Sequence, residues 1–327
     1  MKDRSKGLSL LIGIAVGFTL IALAGRQASY GWLLFLGVPF LTGFLAVVIY
    51  TWGERRRLGQ CLWVSIWPFL GVAVLLLVWR IEGIICIATA APIAVPVGLL
   101  GGYVGWLLQR HVAGIAVGAC LLLIVPPGIV FGHHGPEPRT FAVSTSMIVE
   151  APPETVWRYI TEFPAIGTPA GLIFRAGVAY PVRTEIDGDG PGVARRCVLS
   201  TGVLNETVSA WETPHLLRFR VDSMPPAMHE LSPWRDIDPP HLHGFYVSRQ
   251  GEFRLTPLPG GRTRIEGTSW YSHGLEPALY WRLWSDYVVH GVHRRVLEHI
   301  KALAEEDNTR RAGILQTSRT IRCAIRP

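Results

Sequence analysis

Residues Glu276–Glu305 read EPALYWRLWSDYVVHGVHRRVLEHIKALAE. Trp281, Trp284, Val288, Val292, Val296, Ile300 and Leu303 recur at helical spacing, so the stretch reads as one long helix. Pro277 suits a first turn, where its missing N–H costs nothing. The opposite face carries Arg282, Asp286, Arg294, Glu298 and Lys301, with Arg294 and Glu298 one turn apart. The first half of the helix is aromatic. Tyr280, Trp281, Trp284 and Tyr287 offer more apolar area than a single buried stripe needs. A sheet curled round such a helix would bury it and leave room for a hollow beside the aromatics.

The residues upstream supply that sheet. FAVSTSMIVE (Phe141–Glu150) alternates as a strand, and Ala151-Pro152-Pro153-Glu154 opens a short helix with Val156, Trp157 and Ile160 on its apolar face. Strand-like runs follow at Gly171–Ile186, Val193–Ser200, Val203–Trp211, Leu216–Val221, Phe245–Leu255 and Arg262–Tyr271, split by turn residues. Pro259-Gly260-Gly261 is a hairpin signal between the last two. Short turns between successive strands imply an antiparallel sheet. A block of strands bounded by helices implies an α+β domain.

VEAPPETVWRYITEF (Val149–Phe163) resembles the opening of the SRPBCC (START-like, Bet v 1-like) superfamily. The run from Arg264 through Glu305 resembles the last strand and long helix of its polyketide cyclase/dehydrase-like members. The resemblance covers roughly Thr140–Glu305. It implies a helix-grip fold: a curved antiparallel sheet around the C-terminal helix, enclosing a pocket for a hydrophobic molecule. Members of the superfamily bind lipids, sterols or polyketides, or act as cyclases or hydrolases.

Residues 1–132 are a different object, nearly all apolar, and raise the mean hydropathy of the chain to +0.30. Five runs, at residues 8–24, 31–50, 61–79, 83–108 and 112–132, are long enough or nearly so to cross roughly 30 Å of hydrocarbon. The fourth holds Pro92, Pro96 and Gly101-Gly102, and reads either as one kinked helix or as a broken pair. Glycines four residues apart recur (Gly13/Gly17, Gly98/Gly102, Gly101/Gly105, Gly114/Gly118), a spacing that lets helix backbones approach within one chain or between copies. No Asp, Glu, Lys or Arg lies mid-span, which argues against a proton-coupled pump. Lys2, Arg4, Lys6, Arg55, Arg56, Arg57 and Arg110 lie on alternate sides of the spans from Arg26 and Arg80. With five spans this bias puts the N-terminus in the cytoplasm and the soluble domain on the far side, as in a bacterial inner-membrane protein. Four or six spans would leave both in the cytoplasm. The domain plan is therefore a transmembrane bundle at 1–132, a linker at 133–140, a ligand-binding domain at 141–305 and a flexible basic tail at 306–327.

Charge excludes a nucleic-acid partner. Nine Lys and Arg stand against four Asp and Glu before Arg139, and 22 against 20 from there on, with no basic stripe. The five cysteines show no paired spacing and suggest neither disulfides nor zinc. No metal or other cofactor is expected. GxSxG, HExxH and GxGxxG patterns are absent from the sequence.

Three groups remain as candidate chemistry. Asp286, His290 and His293 share one side of the long helix; Asp286 with His290 is either an acid–base pair or a surface ion pair. His241 and His243, with His229 upstream, would need a third ligand such as Asp236 or Asp238 to hold a metal, and His133-His134 lack one nearby. The insertion Ser223–Gly244 carries Met224, Met228 and Trp234 and reads as a lid, a bilayer contact or a patch over a sheet edge. Together with Trp157, Trp211, Trp270, Tyr280, Trp284 and Tyr287, those three residues are the candidate pocket lining. The favoured function is membrane-tethered binding of a lipid or other apolar molecule; the alternative is a cyclase/dehydrase-type enzyme.

Overall fold

The computed structural model describes residues 2–108, 113–131, 139–169, 171–230, 232–234, 237 and 239–324. It divides into two compact units, and the division does not follow the chain. The first unit takes Met1–Pro138 together with Glu230–Phe245 and Gly274–Trp284; the second takes the remainder. The linker histidines His133 and His134, and Asp236 and Asp238, lie outside the described residues.

In the first unit, α1 (Lys2–Arg26), α2 (Val38–Tyr50, entered through a wide turn at Leu33–Gly37), α3 (Leu58–Val78) and α4 (Ile84–Leu108) are built from apolar runs. Four helical segments, Arg4–Arg26, Leu33–Tyr50, Leu58–Val78 and Ile84–Leu108, are long and apolar enough to cross a membrane. The fifth expected span is α5 (Ala113–Phe131), whose apolar stretch Ile115–Val130 is shorter. Trp63, Leu70, Val74 and Leu123 are exposed on these helices, as a lipid-facing surface requires. The chain is membrane-associated.

The fourth apolar run is one continuous helix through Pro92 and Pro96, not a broken pair. Its glycines set the packing. A Cβ on Gly101 would stand 2.1 Å from the carbonyl oxygen of Phe40, and one on Gly43 would stand 2.0 Å from that of Gly98. Gly101 and Gly105 of α4 thus meet α2 of the same chain, backbone against backbone, while Gly98 and Gly102 make room for Phe69 and Ser65 of α3.

The two C-terminal segments are bound into this unit by specific contacts. The Trp234 indole donates to the Leu77 carbonyl at 2.7 Å, and Arg80 lies over the same ring. Trp281 packs against Phe35, and the Glu276 amide donates to the Tyr30 carbonyl at 3.0 Å. The insertion expected as a lid or a bilayer contact is, over Glu230–Phe245, part of the membrane unit.

The second unit is a seven-stranded antiparallel sheet in the order β1-β7-β6-β5-β4-β3-β2. The strands are β1 (Thr140–Val149), β2 (Pro181–Ile186), β3 (Ala194–Leu199), β4 (Gly202–Glu212), β5 (Leu216–Ser223), β6 (Tyr246–Leu258) and β7 (Arg262–His273). The first and last strands pair, because β1 is followed by α6 (Pro153–Thr161) and α7 (Leu172–Arg175) before the meander begins. Gly260 and Gly261 turn the β6–β7 hairpin with φ of +82° and +71°, values that side chains disfavour. The half-barrel holds the long helix α8 (Ala278–Ala324) in the helix-grip arrangement. Val149, Val156, Ile160, Leu217, Ile265, Leu297 and Ile300 form its core.

Two features of α8 differ from expectation. The core stripe is Val289, His293, Val296, Leu297, Ile300 and Ala304, while Val288, Val292 and Leu303 are only half-buried. A strict four-residue series drifts about 40° per step round a helix of 3.6 residues per turn, so the sheet can cover only part of it. The helix also continues past Glu305 to Ala324 where a flexible tail was expected. Ion pairs one turn apart, Glu306 with Arg310 and Asp307 with Arg311, support the extension, and Asn308 donates to the Glu150 carbonyl at 2.9 Å.

Candidate functional site

The helix-grip interior contains a polar cluster in the first third of α8. Thr145 of β1 meets Nδ1 of His290 at 2.8 Å and Nδ1 of His293 at 3.1 Å. Ser269 of β7 meets the other nitrogen of His293 at 2.8 Å. One turn back, Asp286 accepts from the Tyr271 hydroxyl at 2.5 Å, and Tyr271 stacks on Tyr246. The side of α8 that carries Asp286, His290 and His293 therefore faces the sheet. Burial, helped by neighbouring His290, lowers His293 to about 4, so it is neutral at pH 7 with both nitrogens bonded. Burial and the Asp286 carboxylate push the Tyr246 hydroxyl well above its ordinary range.

A second polar cluster lies in the membrane unit. Glu82 lies in the α3–α4 connection, two residues before α4, and Cys86 is in the first turn of that helix. Glu230 and His241 come from the insertion, where Pro240–Leu242 forms a tight turn. That turn separates His241 from His243, which an extended chain would have kept on one face; His229 and His243 are exposed, whereas His241 is largely buried. The Cys86 thiol hydrogen-bonds to Glu230, and Nε2 of His241 lies 2.9 Å from the Cys86 sulfur. Nδ1 of His241 stands 3.5 Å from Glu82 Oε2. The Tyr30 hydroxyl donates to Glu82 Oε1 at 3.2 Å.

This cluster is not internally satisfied. Glu82 Oε2, Glu230 Oε2 and His241 Nδ1 are buried and find no hydrogen-bond partner among the described residues. Each unmade bond of this kind costs about 1–3 kcal/mol. Burial, reinforced by Glu230 and opposed by His241, holds the Glu82 carboxyl above the usual carboxylate range. For His241 burial disfavours the charged form, but Glu230 and Glu82 outweigh it and raise the imidazole above its ordinary value.

The same cluster closes one end of a cavity of about 390 Å³ among α1 to α4. Ile21, Val38, Phe69, Ala73, Ala91 and Val95 are typical of its walls; Tyr30, Glu82, Cys86 and His241 supply its polar end. Trp281 also lines it, and its indole N–H has no partner among the described residues. Small-molecule sites commonly occupy roughly 300–1,000 Å³ with apolar walls and a few convergent polar groups.

None of the nine residues expected to line a pocket borders this cavity. Trp157 and Trp211 meet edge to face, 5.3 Å apart, in or against the helix-grip core. Trp270 and Trp284 are half-buried, and Tyr287 is 59% exposed. The Tyr280 hydroxyl donates to the Thr89 carbonyl. Met224 accepts the Ser248 amide through its sulfur, Met228 bridges to Val178, and Trp234 is bound at Leu77. Sequence reasoning passed over Tyr30, Glu82, Cys86 and Glu230. The one local signal is the closeness of Glu82 and Cys86 in the chain, either side of a helix start.

Comparison with known proteins bears on the second unit. No curated protein sequence matches the chain. Among solved structures, a protein from Nitrosospira multiformis is 19% identical over 50% of this chain and 94% of its own, with a TM-score of 0.32. One from Mesorhizobium loti is 17% identical over 51% and 98%, also at 0.32. A norcoclaurine synthase point mutant from Thalictrum flavum, in complex with a transition-state analogue, is 12% identical over 53% and 99%, at 0.33. The profile of the family described as polyketide cyclase / dehydrase and lipid transport matches residues 140–305, just over half of the chain. With that match spanning the whole sheet and the gripping part of α8, the chain belongs to the polyketide cyclase / dehydrase and lipid transport family.

Proposed function

We propose that this protein binds a lipid or another amphiphilic small molecule, and that the membrane unit takes part in holding it. The observation that carries the reading is the apolar cavity with a polar end. Apolar walls suit a hydrocarbon chain, and the partnerless groups of Glu82, His241 and Trp281 suit a polar head. The helix-grip domain supports the reading through its family, whose description includes lipid transport. The cyclase/dehydrase alternative would draw on Asp286 and His290, but the neighbouring imidazole of His293 is already bonded at both nitrogens.

The test is cavity filling. Ala91→Phe and Ala94→Phe should abolish co-purification of a bound lipid by full-length protein in detergent, read by native mass spectrometry, with the melting temperature retained. Undiminished lipid binding in folded variants would sink the reading.

The same proposal includes an inner-membrane location with the helix-grip domain on the non-cytoplasmic side. The Lys/Arg bias supports it when the shorter α5 is counted with the four helices long enough to cross, making five spans. Alkaline phosphatase fused after Thr140 should be active; an inactive fusion beside an active cytoplasmic reporter would reverse the orientation.

A further inference from the structure

We propose that Cys86, His241 and Glu230 bind a divalent transition-metal ion of the zinc class, with Glu82 as the carboxylate that orients His241. The donor types are those such ions take: a thiolate sulfur, an imidazole nitrogen and a carboxylate oxygen. The Cys86 sulfur and the His241 Nε2 are 2.9 Å apart, and Nε2 is 3.8 Å from Glu230 Oε1. The Cys86 thiol is in direct contact with Glu230. Zinc bonds of about 2.0–2.3 Å put neighbouring tetrahedral ligands roughly 3.3–3.7 Å apart. Small side-chain adjustments bring the three donors to that spacing. Independently of Glu230, the donor atoms of Glu82, Cys86 and His241 all lie within 4.8 Å of one another.

One ion resolves all three unsatisfied atoms of the cluster. With Nε2 on the metal, His241 carries its proton on Nδ1, which faces Glu82 Oε2 at 3.5 Å. That donation satisfies His241 Nδ1 and Glu82 Oε2 together, in the carboxylate–histidine–metal relay that fixes ring orientation in metal sites. The Tyr30 hydroxyl already holds the other Glu82 oxygen. Glu230 Oε2 gains the ion as its partner when the carboxylate binds through both oxygens, Oε1 being the one already beside Cys86 and His241. Two positive charges also offset the thiolate and carboxylates that burial would otherwise disfavour. The thiolate and imidazole select against magnesium and calcium, which take oxygen donors. The proposal stands whether or not the neighbouring cavity holds a lipid.

The experiment uses full-length protein in detergent, stripped with chelator. Zn²⁺ is titrated against a chromophoric competitor, and Co²⁺ is added separately for its absorption spectrum. One Zn²⁺ per chain is expected, not displaced by excess Mg²⁺ or Ca²⁺. The cobalt form should show a near-ultraviolet sulfur-to-cobalt charge-transfer band, retained in a variant whose sole cysteine is Cys86. Cys86→Ser should remove the band, and His241→Ala should abolish stoichiometric binding. Glu82→Gln should keep the band while weakening Zn²⁺ affinity by about ten- to a hundredfold. Circular dichroism of each metal-free variant checks that it folds. Absence of the band in the wild-type protein, or unchanged Zn²⁺ affinity in folded Cys86→Ser, overturns the proposal, as does equal competition by Mg²⁺.

Discussion

The helix-grip domain and the membrane unit each bury histidine among polar side chains, and they leave it in opposite conditions. In the first, His293 sits between Thr145 and Ser269 with both nitrogens bonded. Its partners are hydroxyls, which can donate or accept and carry no charge. In the second, His241 is wedged among Glu82, Cys86 and Glu230, and three atoms of the group have no hydrogen-bond partner among the described residues. A closed network stabilises a fold, because every buried group has exchanged water for a protein partner. An open one is costly by itself and becomes favourable when something else arrives. That contrast moves attention from Asp286 and His290, the residues a reading of the helix would choose, to the insertion and the start of α4.

Several substitutions sharpen or break this contrast. The largest effect is expected inside the helix-grip sheet at Arg195, a cross-strand neighbour of Glu206 whose buried guanidinium pairs with that carboxylate. Arg195→Met leaves a buried carboxylate alone and should cost about 3–5 kcal/mol in urea denaturation of the detergent-solubilised chain. Glu82→Gln in the membrane unit should be neutral or stabilising to the metal-free protein, since it removes a poorly satisfied acid. A loss there as large as that at Arg195 would mean the cluster is structural.

The pH dependence comes next. His293 is lowered to about 4 in the folded state, against an ordinary histidine value near 6.5. Between those values the unfolded chain binds the extra proton, so stability rises with pH across that window. The contribution is fully present above about pH 6.5 and is lost as pH falls towards 4, a change on the order of 3 kcal/mol. Comparing denaturation midpoints of wild type and His293→Gln from pH 4 to 7 isolates it. Parallel curves for the two proteins would show that His293 is not held neutral.

The smallest effect is expected at Tyr287. Its ring is 59% exposed on α8, so Tyr287→Ala should change stability by less than about 0.5 kcal/mol and leave lipid binding intact. A marked loss of lipid binding would return the pocket to the aromatic face of the helix.

Much of this architecture is legible in the residues alone. The change of composition near residue 132 separates the apolar helices from the sheet, and most strands, the Pro259-Gly260-Gly261 hairpin and the long helix follow from alternation, turn chemistry and helical spacing; the run Gly171–Ile186 is a strand only from Pro181, after α7. Each of these signals is local: a period of two or 3.6 residues reports which face of one element avoids water. Gly98, Gly101, Gly102 and Gly105 likewise announce close helix contacts, though only the fold shows that α2 and α3 make them.

The candidate site has no such local signature. Glu230 and His241 lie 144 and 155 residues from Cys86 in the chain. Glu82 reads as a span-end charge, Cys86 as one apolar residue among many, and the insertion as a lid, a bilayer contact or a patch over a sheet edge. No periodicity couples a helix start to a loop between two distant strands. What joins them is the packing of Phe245, Leu275 and Trp281 with the membrane helices, and the hydrogen bond of Trp234 to Leu77, which carry Glu230 and His241 along. The residue pattern tells which faces are apolar and which elements they build; which polar residues those faces bring together follows from packing, because it depends on how distant elements come to lie side by side.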